Sequence, residues 1–291
     1  MSGRLAAALL LLSLALLYEP AAAQPLTAAA EGVGSQACAS CHADIYRSYS
    51  ETAMARASGP ASDGLIAGEF QHPRTGIHYR IYSQDGRVWL GFDRDRPALH
   101  GKRELLYYIG SGRRGRTYLF FEDGFLFESP VNWYAQKRLW DMTPAYQDAS
   151  QMPMLPAVPA CLNCHTSGMQ SPQSGTENRY PMPPFAHGGI TCQRCHGPGE
   201  EHILSRGKTA ILNPVKLAPD RRDDICMQCH LEGNVAVERS GKHPYDFRPG
   251  DRLSDYIRYF EVEDPQLPGL GALSQVEALA QSVCKQRSGD A

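Results

Sequence analysis

Four times the chain places two cysteines three apart with a histidine directly after the second. The copies are Cys38-Ala-Ser-Cys41-His42, Cys161-Leu-Asn-Cys164-His165, Cys192-Gln-Arg-Cys195-His196 and Cys226-Met-Gln-Cys229-His230. Eight of the 9 cysteines fall in this pattern, and only Cys284 is left over. Cysteines three apart share a helical face, so both thiols can reach the two vinyl groups of one porphyrin and form thioethers. The next imidazole then meets the iron as proximal ligand. C-x-x-C-H is the attachment signature of c-type haem. Paired cysteines also hold structural zinc, but zinc gives no reason for a histidine in the same place four times. Disulfides in an exported chain leave those histidines equally unexplained. The motifs therefore imply four covalently attached haems c, with His42, His165, His196 and His230 on the irons.

Six further histidines lie outside the motifs: His72, His78, His100, His187, His202 and His243. Methionine can also close the sixth position of a haem iron, and raises the potential when it does. In the third motif Gly197-Pro198-Gly199 turns the chain, and Glu200-Glu201 open a helix at the end where acids are favoured. His202 thus projects away from its own haem and is expected to ligate a neighbouring iron. His187, five residues before Cys192, can reach an adjacent haem. His72, held extended by Pro73, is a third candidate. His78, His100 and His243 read as surface or β-face side chains. This supply exceeds four distal positions, and no motif has lysine in place of its histidine. Both points favour an electron carrier, with redox proteins as donor and acceptor. The alternative is a multihaem oxidoreductase with one open iron acting on a small nitrogen or oxygen compound. A haem sensor feeding a repeat domain is a third reading, and the chain contains no such repeat.

The elements that hold these groups are partly legible. Arg4 precedes an apolar run from Leu5 to Leu17, and Ala21-Ala22-Ala23 offers a small-residue cleavage site. This is the layout of a secretory signal peptide over residues 1–23, and the run is short for a membrane span. It implies a periplasmic or otherwise exported chain without a direct membrane span after cleavage. The 268 residues that follow suffice for one large or two ordinary domains. A formal charge of −2 indicates neither nucleic acid nor a polybasic membrane surface. The 27 glycines and 21 prolines point to many turns. Residues 24–66 carry the first haem motif and a helix with Ile45, Tyr46, Tyr49 and Ala53 at helical spacing. Residues 67–150 read as a small antiparallel β-rich insert, with hairpins around Asp85-Gly86 and Asp123-Gly124. Residues 151–245 hold the other three motifs on spacers of 27 and 30 residues, short enough to force their haems together. In the tail, 246–291, Ser274-x-x-Glu277 is a capping box. Val276, Leu279, Ala280 and Val283 then share a helical face with Cys284, which reads as a small buried hydrophobe.

Further stretches carry a family likeness. They are Cys38–Ala57, Tyr108–Gly112 with Arg116–Leu119, Ser129–Tyr134, Cys192–Gly199, Ile211–Pro214, Cys226–Leu231 and Phe247–Gly250. Across them the chain resembles the nitrifier tetrahaem cytochrome c family, the cytochrome c five-five-four type, including relatives joined to tetratricopeptide repeats. The resemblance implies a mostly helical haem core, low-spin haems with two axial ligands and electron transfer. The expected fold is therefore mainly α with much irregular structure around a multihaem core, plus the β insert. Relatives often read Ser-x-His-Ala after the first motif, where this chain has Thr52-Ala53-Met54-Ala55. That makes Met54 either a distal ligand or a plain core residue. Many relatives also carry histidine in the segment where this chain has Arg113-Arg114. Another C-x-x-C-H often follows the segment matching Cys284, which suggests a truncated chain or a naturally short version.

Overall fold

Strand-forming residues dominate residues 58–142, and they build far more than a small insert. The computed structural model describes residues 32–144, 154–260 and 274–288. The expected signal peptide and the end at Ala291 lie outside them. Strands β1 (Ser58–Pro60), β2 (Gly68–Gln71), β3 (His78–Gln84), β4 (Arg87–Arg94), β5 (Leu99–Leu105) and β6 (Tyr107–Ile109) come first. They are followed by β7 (Gly115–Glu122), β8 (Phe125–Glu128), β9 (Val131–Tyr134), β10 (Leu139–Met142) and β11 (Leu155–Pro156). One antiparallel sheet runs β2-β3-β4-β5; a larger one runs β1-β6-β7-β8-β11, with β9 on β7 and β10 on β9. Both expected hairpins are present. Asp85 and Gly86 turn β3 into β4 at φ 52° and 74°, and Asp123 and Gly124 turn β7 into β8 at φ 51° and 82°, the left-handed pair a two-residue hairpin needs.

The two sheets pack face to face. Tyr79, Ile81, Val88, Leu90, Phe92 and Leu105 on one meet Tyr118, Phe120, Val131, Trp140 and Met142 on the other. Successive side chains of a strand alternate between faces, so Leu119 and Leu126 point the opposite way. There they pack with Ile109, Leu162, Tyr180 and Phe185, and Cys161 lies against this cluster. The larger sheet is therefore a wall with the β core behind it and the second haem motif in front. Arg116 pins this wall to the segment after the first motif. Its buried guanidinium donates to the carbonyls of Gly110, Asp63, Gly64 and Ser111 and lies 3.8 Å over the Tyr108 ring.

The expectation of a mainly α fold is overturned. The described residues form 15 strands in four antiparallel sheets, while their α-helices run from four to twelve residues. Each haem motif needs only about one helical turn, and Gly or Pro stands close to most of these turns. Even the motif-bearing regions pair strands: β12 (Thr166–Met169) with β13 (Phe185–Gly188), and β14 (Val235–Glu238) with β15 (Ile257–Phe260). A third small core, Ile225, Phe247, Leu253 and Ile257, supports the fourth motif, with Cys195 packed beside it. No helix among the described residues is long and apolar enough to cross a membrane.

Candidate haem-binding site

All four motifs adopt the same local geometry. The first follows a single 3-10 turn, Ser35–Cys38, and the His42 amide donates to the Cys38 carbonyl at 2.9 Å. The helix α1 (Ala43–Ser50) then leads away from it. The second motif ends α2 (Pro159–His165), the third forms α3 (Gln193–His196), where the His196 amide reaches the Cys192 carbonyl at 3.0 Å, and α4 (Glu200–Leu204) follows. The fourth ends α5 (Pro219–His230). Pro159 and Pro219 stand where a helix loses nothing by lacking an N–H. None of the 9 cysteines forms a disulfide. Burial pushes Cys161 up to about 12, and Cys195 and Cys38 to about 11.

The motifs meet one another through their own side chains. Cys38 and Cys192 share a hydrogen bond, and the Cys192 amide donates to Ser35 Oγ at 3.1 Å. Gln193 Oε1 accepts from the Val33 amide at 3.1 Å, closing the first motif onto the third. Cys164 and Cys229 share a second hydrogen bond. That bond lowers Cys229 to about 6 and raises Cys164, with the Arg194 charge favouring the thiolate at both. Arg194 Nη2 donates to the carbonyl and to Oδ1 of Asn163, each at 3.0 Å, and lies 3.9 Å from Cys229 Sγ. The third motif thus meets the first, the second and the fourth, and the second meets the fourth.

Buried hydroxyls brace this cluster. Ser58 Oγ donates to the His165 carbonyl at 2.7 Å and accepts from the Gly189 amide at 2.9 Å. Ser167 Oγ donates to the Gly189 carbonyl at 3.0 Å and accepts from the Thr191 amide at 2.9 Å. Two side chains therefore lock the first three motif segments together, and nothing in their spacing marked them beforehand.

The histidines fit the role of iron ligands. His196 Nδ1 lies 2.9 Å from the Leu212 carbonyl, and His202 Nδ1 lies 2.8 Å from the Thr209 carbonyl. A carbonyl only accepts, so both rings carry their proton on Nδ1 and keep the Nε2 lone pair for a metal. His230 Nδ1 lies 3.1 Å from Gln275 Oε1, an arrangement of the same kind. His165 is partly buried, and this desolvation lowers its pKa; its Nδ1 has no hydrogen-bond partner. The rings of His42 and His202 have centroids 6.3 Å apart and planes 15° from parallel.

The other expected ligands are placed less clearly. His187, on β13, has Nε2 at 3.3 Å from the Gly32 carbonyl, beside the first motif. His72 is buried in the turn between β2 and β3, with Nδ1 at 2.9 Å from Thr75 Oγ1 and its ring beside Phe70. Met54 is 44% exposed, so the core-residue reading does not hold for it. His78 pairs with Glu69 and His243 with Glu238 at the surface. Cys284 is exposed, against the expectation of a small buried hydrophobe. The helix breaks between α6 (Gln275–Ala280) and α7 (Val283–Ser288), which leaves Leu279 and Val283 exposed as well.

A cavity of about 630 Å³ opens between the motifs, lined by Asn163, His187, Gln193, Arg194, Tyr245 and Arg248 among others. Among the described residues no three His, Cys, Asp or Glu side chains converge as a metal-ion cluster. The donors come instead as thiol pairs with one imidazole each, the set that a covalently held porphyrin requires.

Residues 133–197 match the family model described as cytochrome c554 and c-prime, a span that takes in the second and third motifs. The chain is a multihaem c-type cytochrome. Such cytochromes hold haem c covalently. The fold is also that of the outer cell wall cytochrome OcwA. The match has a TM-score of 0.52 and 20% identity, over 78% of this chain and 44% of OcwA. An undecahaem cytochrome from the S-layer of Carboxydothermus ferrireducens matches at TM-score 0.41 and 18% identity, over 72% of this chain and 27% of that one. The cytochrome described here thus spans less than half the length of these solved structures. No curated protein matches it.

Proposed function

We propose that this cytochrome carries four haems c and passes single electrons along them as an exported, periplasmic carrier between redox proteins. The observation that carries this reading is the contact between motifs. Thiols of different attachment sites interact in two places, so porphyrins held there would be close neighbours. Each pair Cys38/Cys41, Cys161/Cys164, Cys192/Cys195 and Cys226/Cys229 takes one porphyrin, and the histidine after it binds the iron. His202 serves as distal ligand to the iron of His42. Two imidazoles sharing one metal at about 2.0–2.1 Å to nitrogen have ring centroids roughly 6 Å apart, close to the separation of these two rings. His187, His72 and Met54 are the remaining distal candidates. Export is supported by the N-terminal leader pattern and by the likeness to an outer cell wall cytochrome.

Full-length protein produced with a c-haem maturation system should gain the mass of four haems and stain for haem after denaturation. Protein that carries zinc and no porphyrin would end this reading. His202→Ala should turn one haem high-spin or shift its potential; four low-spin haems with unchanged potentials would remove His202 from the ligand set. Near-infrared magnetic circular dichroism without a methionine-ligation band would remove Met54.

A further inference from the structure

Arg194 is one of the two residues between Cys192 and Cys195, yet its guanidinium leaves its own motif. It donates twice to Asn163, inside the second motif, and lies 3.9 Å from Cys229 Sγ in the fourth. The Arg194 carbonyl accepts from Gln228 Nε2 at 3.4 Å, again in the fourth motif. Its Nε–H is buried without a hydrogen-bond partner, and among the described residues it is in no ion pair. It also lines the cavity between the second and third motifs. A fixed cation thus stands where two foreign attachment sites meet, with no carboxylate to neutralise it.

We infer that Arg194 sets the reduction potentials of the haems attached at Cys161/Cys164 and Cys226/Cys229. The inference rests on the proposed tetrahaem carrier. Reduction of ferric to ferrous haem adds one electron to the group, so a nearby positive charge favours the reduced form and raises its potential. Partial burial limits screening by solvent and salt. Arginine stays charged at every working pH, so the effect is independent of pH.

The test is a spectroelectrochemical titration of the matured full-length chain beside Arg194→Gln and Arg194→Lys. Arg194→Gln should lower two of the four potentials, equally at pH 6 and pH 8, with all haems still attached. Arg194→Lys should leave them near the original values. Unchanged potentials in Arg194→Gln would overturn the inference, and so would Arg194→Lys shifting them as far as Arg194→Gln. Should Arg194→Gln not mature, Asn163→Asp places a carboxylate against the guanidinium and should lower the same two potentials; no change there overturns the inference too. Parent protein without haem would instead defeat the carrier reading itself, a failure visible by mass before any titration.

Discussion

Arg116 and Arg194 show two opposite uses of an arginine inside one molecule. Arg116 is buried and fully served: four carbonyls and the Tyr108 ring surround it. Nothing about it is left over for a ligand, so its role is to hold the loop Asp63-Gly64 against the Gly110–Gly115 turn. Hydrogen bonds to a charged group contribute roughly 1.5–3 kcal/mol each, and stranded buried carbonyls add to the loss. Arg116→Met should therefore destabilise the chain by about 3 kcal/mol or more in urea unfolding, while leaving the haem count of matured protein unchanged. A loss below about 1 kcal/mol would mean that water replaces the guanidinium at little cost.

At the scale of elements, close approach decides which glycines matter. Gly86 sits at φ 74° in an open turn with nothing near a would-be Cβ. Gly86→Ala should cost about 1–2 kcal/mol, the strain of the left-handed region alone. Gly189, at φ 68°, passes directly under the Ala55 carbonyl, which a Cβ would overlap. That carbonyl belongs to the backbone beside the first motif and cannot rotate away. Gly189→Ala should exceed the roughly 1–3 kcal/mol of ordinary overpacking and loosen the first motif from the third; equal melting temperatures for the two variants would contradict this. The capping box at Ser274 gives a pH-dependent counterpart. Glu277 accepts from the Ser274 amide at 2.6 Å and from the Gly233 amide at 3.0 Å, which holds its carboxyl below the usual 4.5. A depressed carboxylate contributes fully above its unfolded value and loses that contribution as pH falls through the folded one. Protection of the amides of residues 275–280, taken relative to their intrinsic exchange rate, should therefore fall below about pH 4.5, and Glu277→Gln should show the lower protection already at neutral pH. These elements also mark what the sequence made legible. The Asp-Gly hairpins were plain, because period-two alternation and a left-handed turn pair coincide there. Strand β7 reads Thr117-Tyr-Leu-Phe-Phe121, apolar on both faces because both are buried, so it hid how large the second sheet is. Strands β12 to β15 have four residues each, too few for a period, and the family likeness pointed to helices. The haem motifs stood out because chemistry fixes their spacing; Arg194 did not, because the attachment chemistry leaves the two residues between the cysteines free.

For the whole molecule, the order of contacts matters more than the number of motifs. The second and fourth motifs touch, the third bridges the first to that pair, and the sheet containing β7 screens the second motif on its outer side. Such a cluster suits electrons that enter at one attachment site and leave at another, without a substrate on any iron. It also permits a sharp distinction from a catalytic cytochrome, because catalysis on a small nitrogen or oxygen compound needs one iron with an open or labile sixth position. Replacing Cys195 with Ser should weaken attachment at the third site alone, since in the proposed tetrahaem carrier each motif binds its own porphyrin. The other three haems would then keep their spectra. The intact, fully reduced protein should show no Soret shift under carbon monoxide, because the proposed distal set of His202, His187, His72 and Met54 closes four irons. The His202→Ala variant should bind one carbon monoxide per chain, at the iron of His42. Binding by the unaltered protein would move the assignment from carrier to oxidoreductase, and binding that persists unchanged in His202→Ala would place the open iron at another motif.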